Sequence, residues 1–464
     1  MSLCVPAKTV SIGPNDPEFI TPLVNVMLKK RNKLRKKGRV TEADELAQRI
    51  NHIITDIRSN ALNKAVLSPK ELWSAVNKTR NKTTNNQAHN ILRNPDIVNT
   101  FFAKVAFKEN YDKHELDKYR TDNSNNGNDN DHCNGINEIC TLHNYEVEKL
   151  LSSMKLSASG CDDIPAWLLR TCSFELADII AHIMNCSINS GKVPSYWLNA
   201  LVTPVPKVSN PASFSDFRPI SVTPLLSRLT EKLIVRRWIL PVIPSDMLRD
   251  QFAFKPTGST TAALSYFMHK VTNMLENNYY VRCLMIDFSK AFDTVDHAIL
   301  VPKLLRLDLP VFVVNWICSF LSGRSQQCKV NGRLSSITDI GLSIVQGSGI
   351  GPVLYALMKS DLYALSKHND IFKYADDTTL LVPEHTDVAI TDEFEHIKTW
   401  AIVNKLILNA QKTKEIIFRR PRVLRFHMPP ALDDIEQLNC VKLLGILFQN
   451  NLKMDAHVHF LISV

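Results

Sequence analysis

Apolar residues recur at helical spacing near the start of the chain, with polar residues at the positions between them. Thr21 followed by Pro22 supplies the residue types preferred at the cap and first turn of a helix. Thr41 and Asp44 have the spacing of a capping box at the start of a second helix. The apolar stripe of this second segment consists of Leu46, Ile50, Ile53, Ile54, Ile57 and Ala61. The pattern predicts that residues 21–66 form an antiparallel pair of helices.

A different pattern begins after Asn137, where short β-prone runs alternate with helical segments. Residues 281–288 are a short apolar run with an acid near its end, which is typical of a buried strand. Residues 371–374 and 378–382 are β-prone runs that flank the tripeptide ADD, and this arrangement predicts a hairpin. A further strand is predicted at 200–204, and helices at 146–156, 166–190, 260–275, 297–307 and 353–365. The expected fold class is α+β.

Between these two parts, residues 121–137 (TDNSNNGNDNDHCNGIN) contain almost no apolar side chains. Such a composition is typical of a flexible linker. We therefore expect a helical N-terminal region at 1–120, a linker at 121–137 and one large domain at 138–464. The chain has 45% hydrophobic and 22% charged residues, which is an ordinary globular composition. The sequence has no apolar run of membrane-spanning length and no signal peptide, so we expect an intracellular protein with reduced cysteines.

The net charge of +9 is confined to the beginning of the chain, because residues 1–120 hold 22 Lys and Arg against 12 Asp and Glu. Eight cations lie within eleven positions, and they are Lys29, Lys30, Arg31, Lys33, Arg35, Lys36, Lys37 and Arg39. One interpretation is a solvated helix face. The other is an arm that binds nucleic-acid phosphates or acts as a nuclear import signal. We expect these eight residues to bind nucleic acid.

Two acidic segments carry the candidate chemistry, DFSKAFD at 287–293 and FKYADD at 372–377. Asp376 and Asp377 at a hairpin tip repel each other, and a divalent cation removes that cost. Asp287 would complete an oxygen-ligand site for two Mg²⁺ ions. Such a pair activates a 3′-hydroxyl and stabilises the departing pyrophosphate. Taken singly, either segment is more typical of an Asp-rich turn or a helix-capping acid than of a metal site.

From Ser157 onward the chain resembles the reverse transcriptase of non-LTR (LINE-type) retrotransposons, closest to the jockey-like or RTE-like groups. The resemblance rests on ordered blocks rather than on one motif. The blocks are SASGCDDIP at 157–165, VTPVPK at 202–207, DFRPIS at 216–221, QFAFKP at 251–256 with STT at 259–261, DFSKAFDTVDH at 287–297, QGSGIGP at 346–352, YADD at 374–377, NKLILN at 404–409 with KT at 412–413, and LLGI at 443–446.

The resemblance implies a right-hand polymerase with fingers and an antiparallel palm sheet, which adds dNTPs to a DNA primer on an RNA template. It also implies two Mg²⁺ ions, for which Mn²⁺ can substitute, and a nuclear or cytoplasmic ribonucleoprotein location. It leaves the oligomeric state open. The residues that match the family's motifs are Asp287, Asp376 and Asp377 as metal ligands and catalytic residues, Lys412 as the acid for pyrophosphate, Phe292 as the gate against ribose, Gln346 and Gly347 in the nucleotide-lining loop, and Arg218 and Lys255 on the triphosphate. Core packing for Phe292, a plain turn for Gly347 and ion pairing for Arg218 remain alternatives.

The chain also departs from the family pattern. The usual Gly-Val-Pro before Gln-Gly is replaced by SIV at 343–345, Arg-Pro-Gly-Arg by KPTG at 255–258, and Asn-Asp by SD at 360–361. No endonuclease motif precedes the resemblance and little chain follows it, so we expect a fragment without endonuclease and thumb. The alternatives are a catalytically silent nucleic-acid-binding remnant and, less favoured, a group II intron-type maturase.

Overall fold

A computed structural model of the chain describes residues 21–64, 91–121, 140–255, 257–420 and 427–463. Nearly all of the expected linker at 121–137 therefore lies outside the described residues. The described residues belong to two compact units, 1–86 and 87–464. Among the described helices, none combines the length and the apolar character that crossing a bilayer would require.

The first unit contains two helices, α1 (Pro22–Lys36) and α2 (Val40–Lys64). The Thr21 hydroxyl caps α1 by accepting a hydrogen bond from the backbone N–H of Val24 at 3.3 Å. The expected helical pair is confirmed, and the buried side chains of this unit include Val24, Ala43 and Ile50. The expected capping box is wrong. Because α2 already begins at Val40, Thr41 lies inside the helix.

The second unit combines helices with three sheets. Its helices are α3 (Pro95–Ala103), α4 (Asn144–Ser152), α5 (Ala166–Thr171), α6 (Ser173–Asn189), α7 (Leu225–Ile234, continued by a π-helical turn at Val235–Ile239 and by Leu240–Val242), α8 (Thr260–Asn277), α9 (His297–Leu304), α10 (Val311–Leu321), α11 (Gly351–Met358), α12 (Ile390–Val403) and α13 (Asp455–Ser463). Its strands are β1 (Asn199–Pro206), β2 (Phe217–Val222), β3 (Tyr280–Ile286), β4 (Arg324–Val330), β5 (Arg333–Leu334), β6 (Thr338–Ile340), β7 (Asp370–Tyr374), β8 (Asp377–Pro383), β9 (Lys414–Arg419), β10 (Glu436–Leu438), β11 (Cys440–Leu443) and β12 (Ile446–Gln449).

The first sheet has the strand order β2-β1-β4-β5, and β6 also pairs with β4. β1 is antiparallel to β2 and parallel to β4, so the sheet is mixed. The parallel register places Leu201 opposite Gln327. Strands far apart in the sequence therefore form the centre of this sheet.

The second sheet has the order β10-β9-β3-β8-β7, with β3 at its centre. The strand pairs β9–β3, β3–β8 and β8–β7 are antiparallel, while β10 is a short parallel edge strand. β7 and β8 form the predicted hairpin, in which Tyr374 pairs with Asp377. The hairpin, the central strand and the α+β class are confirmed.

Helix α3 packs on the first sheet, although the sequence placed it in the N-terminal region. The Asn99 carboxamide donates to the Thr338 hydroxyl at 3.0 Å and accepts from the Gln326 carboxamide at 3.0 Å. Val98 and Phe102 join the apolar cluster beneath β1 and β4. Residues 91–121 are thus part of the large unit, and the division falls after Asn86 instead of at 121–137.

Candidate functional site

The acidic residues lie at neighbouring strand ends of the second sheet. β3 ends at Ile286, and Asp287 follows directly. Because Ile286 pairs with Thr378 on β8, Asp287 lies beside the hairpin tip that carries Asp376 and Asp377. The topology thus brings together the three carboxylates predicted from two separate motifs.

The backbone of Asp287 is fixed by the turn at 409–413. The N–H of Asp287 donates to the Thr413 hydroxyl at 3.3 Å, and the Asp287 carbonyl accepts from the N–H of Asn409 at 2.8 Å. The Asp287 Oδ2 atom is buried and has no hydrogen-bond partner, while the Lys412 ammonium lies 3.8 Å away. Burial and the Asp376 charge raise the pKa of Asp287, against the opposing effect of Lys412.

The pKa of Asp377, at the hairpin tip, is also shifted from its usual value. Burial of the carboxyl group, followed by the charges of Asp376 and Asp287, raises the pKa of Asp377 to about 6. No group of three or more His, Cys, Asp or Glu side chains in the described ranges is assembled closely enough to hold a metal ion. The donor chemistry nevertheless fits a hard divalent cation, because the charges of Asp287, Asp376 and Asp377 act on one another and the Asp287 Oδ2 atom is buried without a hydrogen-bond partner.

A lysine that the sequence analysis missed lies directly under the hairpin. Lys359 is completely buried, and its ammonium donates to the carbonyls of Ala375 (3.3 Å) and Asp376 (2.9 Å) and to the Thr378 hydroxyl (2.6 Å). Burial lowers the pKa of Lys359 to about 7. In the sequence, Lys359 directly follows the apolar run GPVLYALM, and a lysine in that place is typical of the polar end of an amphipathic helix. The only sequence signal near Lys359 is that SD at 360–361 replaces the Asn-Asp of the family pattern.

Four cations form a cluster: Lys207, Arg218, Lys290 and Lys412. The cluster reaches the acidic residues through Lys412, whose ammonium lies 3.8 Å from the Asp287 carboxylate. Burial, together with the charges of the other three, lowers the pKa of Lys207. Arg218 and Lys412 are residues that the sequence motifs predicted for the site. The structure adds Lys207 and Lys290, which lie within the motifs but had no predicted role. Lys255 is placed differently, since its ammonium donates to the Leu248 carbonyl at 3.2 Å and lies 5.2 Å from the centre of the Phe252 ring.

Phe292 lies between the acidic residues and the core. Its ring stacks on Tyr355 with the centroids 4.0 Å apart and the planes 21° from parallel. The Tyr355 hydroxyl is buried without a hydrogen-bond partner. One face of Phe292 is therefore held by a rigid aromatic neighbour, and the residue is half-buried.

The Gln346–Gly347 loop contacts strand β2 of the first sheet. The Gln346 carbonyl accepts from the N–H of Ser221 on β2 at 3.1 Å. Gly347 has φ +114°, and a Cβ atom at this position would clash with the Ser221 carbonyl oxygen. The close approach of the two backbones therefore requires glycine at this position.

Ser343 occupies the position where the family pattern has glycine. Its φ is +101°, in the region that favours glycine, and its side chain is buried. The carbonyl of Ser343 accepts a hydrogen bond from His297 at 2.8 Å, which helps to hold this conformation. The departure noted in the sequence is thus a site of backbone strain.

The eight cations predicted to bind nucleic acid lie in the first unit, on α1 and the turn that follows it. Arg35 pairs with Asp44 at 3.0 Å and Arg39 with Glu42 at 2.6 Å. The other six form no ion pair with a described residue, and they are Lys29, Lys30, Arg31, Lys33, Lys36 and Lys37.

The comparisons with known proteins agree with this geometry. The chain is 26% identical over 339 residues to the RNA-directed DNA polymerase from mobile element jockey of Drosophila melanogaster, a match that covers 68% of this chain and 36% of that protein. It is 24% identical to the probable RNA-directed DNA polymerase from transposon X-element of the same species, covering 67% of this chain and 35% of that protein. The chain thus spans about a third of the length of these curated relatives. A structure of telomerase from Candida tropicalis aligns with a TM-score of 0.37 at 12% identity, over 61% of this chain and 49% of that one, which is too low to support an argument.

The family comparison is decisive. A profile described as reverse transcriptase (RNA-dependent DNA polymerase) matches residues 205–448, which include the first and second sheets apart from residues 199–204 of β1. The predicted resemblance to non-LTR retrotransposon enzymes and the expected α+β polymerase fold are confirmed. Because the matched segment makes up more than half of the sequence, the chain belongs to the reverse transcriptase family of RNA-dependent DNA polymerases.

Proposed function

We propose that this chain catalyses the RNA-templated addition of dNTPs to the 3′-hydroxyl of a DNA primer. The observation that supports the proposal most directly is the placement of Asp287 beside the tip that carries Asp376 and Asp377. A cluster of four cations, of which Lys412 lies beside Asp287, suits a substrate that brings a triphosphate to these carboxylates. Together they combine a site for divalent metal with a site for phosphate.

Reverse transcriptases generally use divalent metal ions. We assign Asp287, Asp376 and Asp377 as the residues that would hold two Mg²⁺ ions, with Mn²⁺ as a substitute. When bound, such ions favour deprotonation of the primer hydroxyl and neutralise charge on the departing pyrophosphate. The chain's own contribution is to fix the Asp287 backbone through Asn409 and Thr413 and so orient the carboxylate.

The neighbouring side chains have separate roles in the proposal. Arg218 would bind the triphosphate, and Lys412, exposed and close to Asp287, would donate a proton to the pyrophosphate. Phe292, held from behind by Tyr355, would exclude a ribose 2′-hydroxyl. The Gln346–Gly347 loop would line the nucleotide.

Lys255 is the site residue that the geometry supports least. Its ammonium is engaged by the Leu248 carbonyl, so a role on the triphosphate requires the side chain to change its partner.

The test is a primer-extension assay on a heteropolymeric RNA template with the full chain. Asp376→Asn should abolish dNTP incorporation while primer–template affinity stays within about twofold, because an uncharged amide is a poor ligand for a hard cation. Asp308→Asn is the matched control, since this exposed carboxylate makes no ion pair within the described ranges. Near wild-type incorporation by Asp376→Asn would refute the proposal. A wild-type chain that binds primer–template without extending it would instead establish the silent remnant.

A further inference from the structure

Helix α11 connects the Gln346–Gly347 loop to the catalytic hairpin, and buried charges stabilise both of its ends. At its N-terminus the buried carboxylate of Glu231 accepts from the N–H groups of Gly349 (2.5 Å) and Ile350 (3.2 Å). A negative charge at this end is favoured by the helix dipole.

Two lysines bind the opposite end of α11. The ammonium of Lys303 donates to the Met358 carbonyl at 2.6 Å. The buried ammonium of Lys373, which lies on β7, donates to the carbonyls of Lys359 (2.9 Å) and Leu362 (2.7 Å) and pairs with Asp250 at 2.8 Å. Positive charges are therefore concentrated where the helix dipole favours them, and β7 is tied to the end of α11.

Lys359 links the end of α11 to the hairpin turn. Its backbone carbonyl is held by Lys373, while its own ammonium reaches the hairpin turn and uses all three N–H donors on Ala375, Asp376 and Thr378. Its stem passes the aromatic rings of Phe288 and Tyr355, which lie 5.1 and 5.7 Å from the ammonium. Outside the hairpin, the charges of Lys373 and Asp250 also act on the Lys359 ammonium.

We propose that Lys359 is a positioning residue, which holds the turn bearing Asp376 in register with α11 so that the catalytic carboxylates are placed before a metal ion arrives. This inference rests on the proposed function of the same site. It assigns a role to a residue that neither the sequence motifs nor the metal-ligand geometry includes.

A purely structural role does not account for a charge at this position. Burying an ammonium group costs more than burying an apolar side chain of similar volume, and buried ionic groups are often replaceable by apolar ones at no loss of stability. The Ala375 and Asp376 carbonyls belong to a turn at the surface, where water can replace the lysine. We therefore expect Lys359→Met to leave the melting temperature unchanged or higher and yet to impair the site.

The experiment compares Lys359→Met with wild type and with Lys398→Met, a half-exposed lysine whose ammonium pairs with Glu395 and lies over the Phe394 ring. Thr378→Val removes one of the three contacts and serves as a second variant. Four quantities are measured on the full chain: melting temperature, primer–template affinity, kcat for dNTP addition, and Mn²⁺ affinity by electron paramagnetic resonance. For Lys359→Met we expect Mn²⁺ affinity about 10- to 100-fold weaker, kcat reduced by about 100-fold, and primer–template affinity within about twofold.

The direction of the Mn²⁺ result separates the two explanations. If Lys359 acted only as a nearby positive charge, its removal would tighten Mn²⁺ binding, since like charges repel. Tighter or unchanged Mn²⁺ binding with unchanged kcat overturns the inference. If the wild-type chain extends no primer but Lys359→Met still weakens Mn²⁺ binding, the proposed function fails while the positioning role stands.

Discussion

The side-chain amide of Gln346 donates a hydrogen bond to the carboxylate of Asp293 at 3.1 Å. Gln346 belongs to the loop proposed to line the nucleotide, and Asp293 follows the proposed gate residue, Phe292. Burial raises the pKa of the Asp293 carboxyl to about 6, against the opposing charges of Lys290 and Lys207 and the Gln346 bond. One hydrogen bond therefore links two motifs that are 53 residues apart.

The raised pKa of Asp293 predicts a pH-dependent cost to stability. The pKa of Asp293 is higher in the folded than in the unfolded state. Its contribution to the free energy of unfolding is therefore most favourable below pH 4 and is lost as the pH rises to about 6. Asp293→Asn should therefore raise the melting temperature at pH 7.5 and leave it nearly unchanged at pH 4. Thermal unfolding at the two pH values checks this, and an equal effect at both would contradict it. Addition of dNTPs should become slower in the same variant, because Gln346 loses its charged partner.

The strain at Ser343 predicts a stabilising substitution. Ser343→Gly should raise the free energy of unfolding by about 0.5–1 kcal/mol, because glycine adopts φ +101° without steric cost. Ser343→Ala is the control, since it removes the hydroxyl but keeps the Cβ atom that causes the strain. Urea unfolding measures both variants. A gain with alanine equal to that with glycine would place the cause in the hydroxyl instead.

Asp296 is predicted to stabilise the contact between residues 91–121 and the rest of the large unit. Its buried carboxylate accepts from Lys108 at 3.0 Å, from Lys405 at 2.7 Å and from the N–H of Ala298 at 3.0 Å. Although burial acts to raise the pKa of Asp296, these bonds lower it to about 2. The stabilisation is therefore present above pH 4 and is lost as the pH falls towards 2.

Asp296→Asn should lower the free energy of unfolding at pH 7 by about 3 kcal/mol, because two lysines lose a buried partner. Asp308→Asn should change it by less than about 0.5 kcal/mol. Urea unfolding at pH 7 and pH 3 measures the loss, which should shrink at the lower pH. A loss of the same size at both values would be evidence against the charge pairing.

Sugar selection by Phe292 can be tested with its neighbour as a control. Phe292→Ala should increase the use of rNTPs relative to dNTPs, because the space beneath the sugar opens. Phe254 contacts the same ring edge-on at 6.4 Å between centroids, and Phe254→Ala should leave the ratio unchanged. Single-nucleotide addition with each substrate gives the ratio of kcat/KM values. An unchanged ratio in an active Phe292→Ala chain would show that the ring only packs in the core.

Helix α1, which carries six of the eight clustered cations, is predicted to bind nucleic-acid phosphates. Replacing Lys29, Lys33 and Lys36 by Gln should reduce the slope of log K against log salt for primer–template binding by about 2–3, since each neutralised phosphate releases a counterion. The control replaces exposed lysines of the large unit, and they are Lys113, Lys329 and Lys453. Equal slopes for the two triple variants would favour the solvated-face interpretation.

The sequence predicted the features that depend on local pattern. The hairpin at 371–382 follows from two β-prone runs around an acidic turn, and the helical pair follows from its apolar stripe and the Thr21-Pro22 start. The ordered motifs also led to the prediction that Asp287, Asp376 and Asp377 are the catalytic carboxylates, because the order of the motifs along the chain carries the resemblance.

Features that depend on distant contacts were missed. The place of α3 on the first sheet is determined by Asn99, whose partners Gln326 and Thr338 lie more than 220 residues away. The role of Lys359 depends on burial under a hairpin formed by later strands, and a lysine gives no local signal of burial. Thr41 had a suitable cap spacing, but Val40 already has helical geometry.

The parallel pairing of β1 with β4 has a consequence for how the chain is made. On the ribosome, β1 and β2 can pair as soon as both have emerged. The strand on the other side of β1 is β4, and it is synthesised more than 100 residues later. Until then the apolar sides of α3 and β1 have no permanent cover, and they are accessible to chaperones or to other nascent chains. Pairing of β1 with β4 therefore waits for synthesis of Arg324–Val330, and the waiting time is set by translation. A pause of the ribosome between β2 and β4 would prolong the period in which this polypeptide is most prone to aggregate.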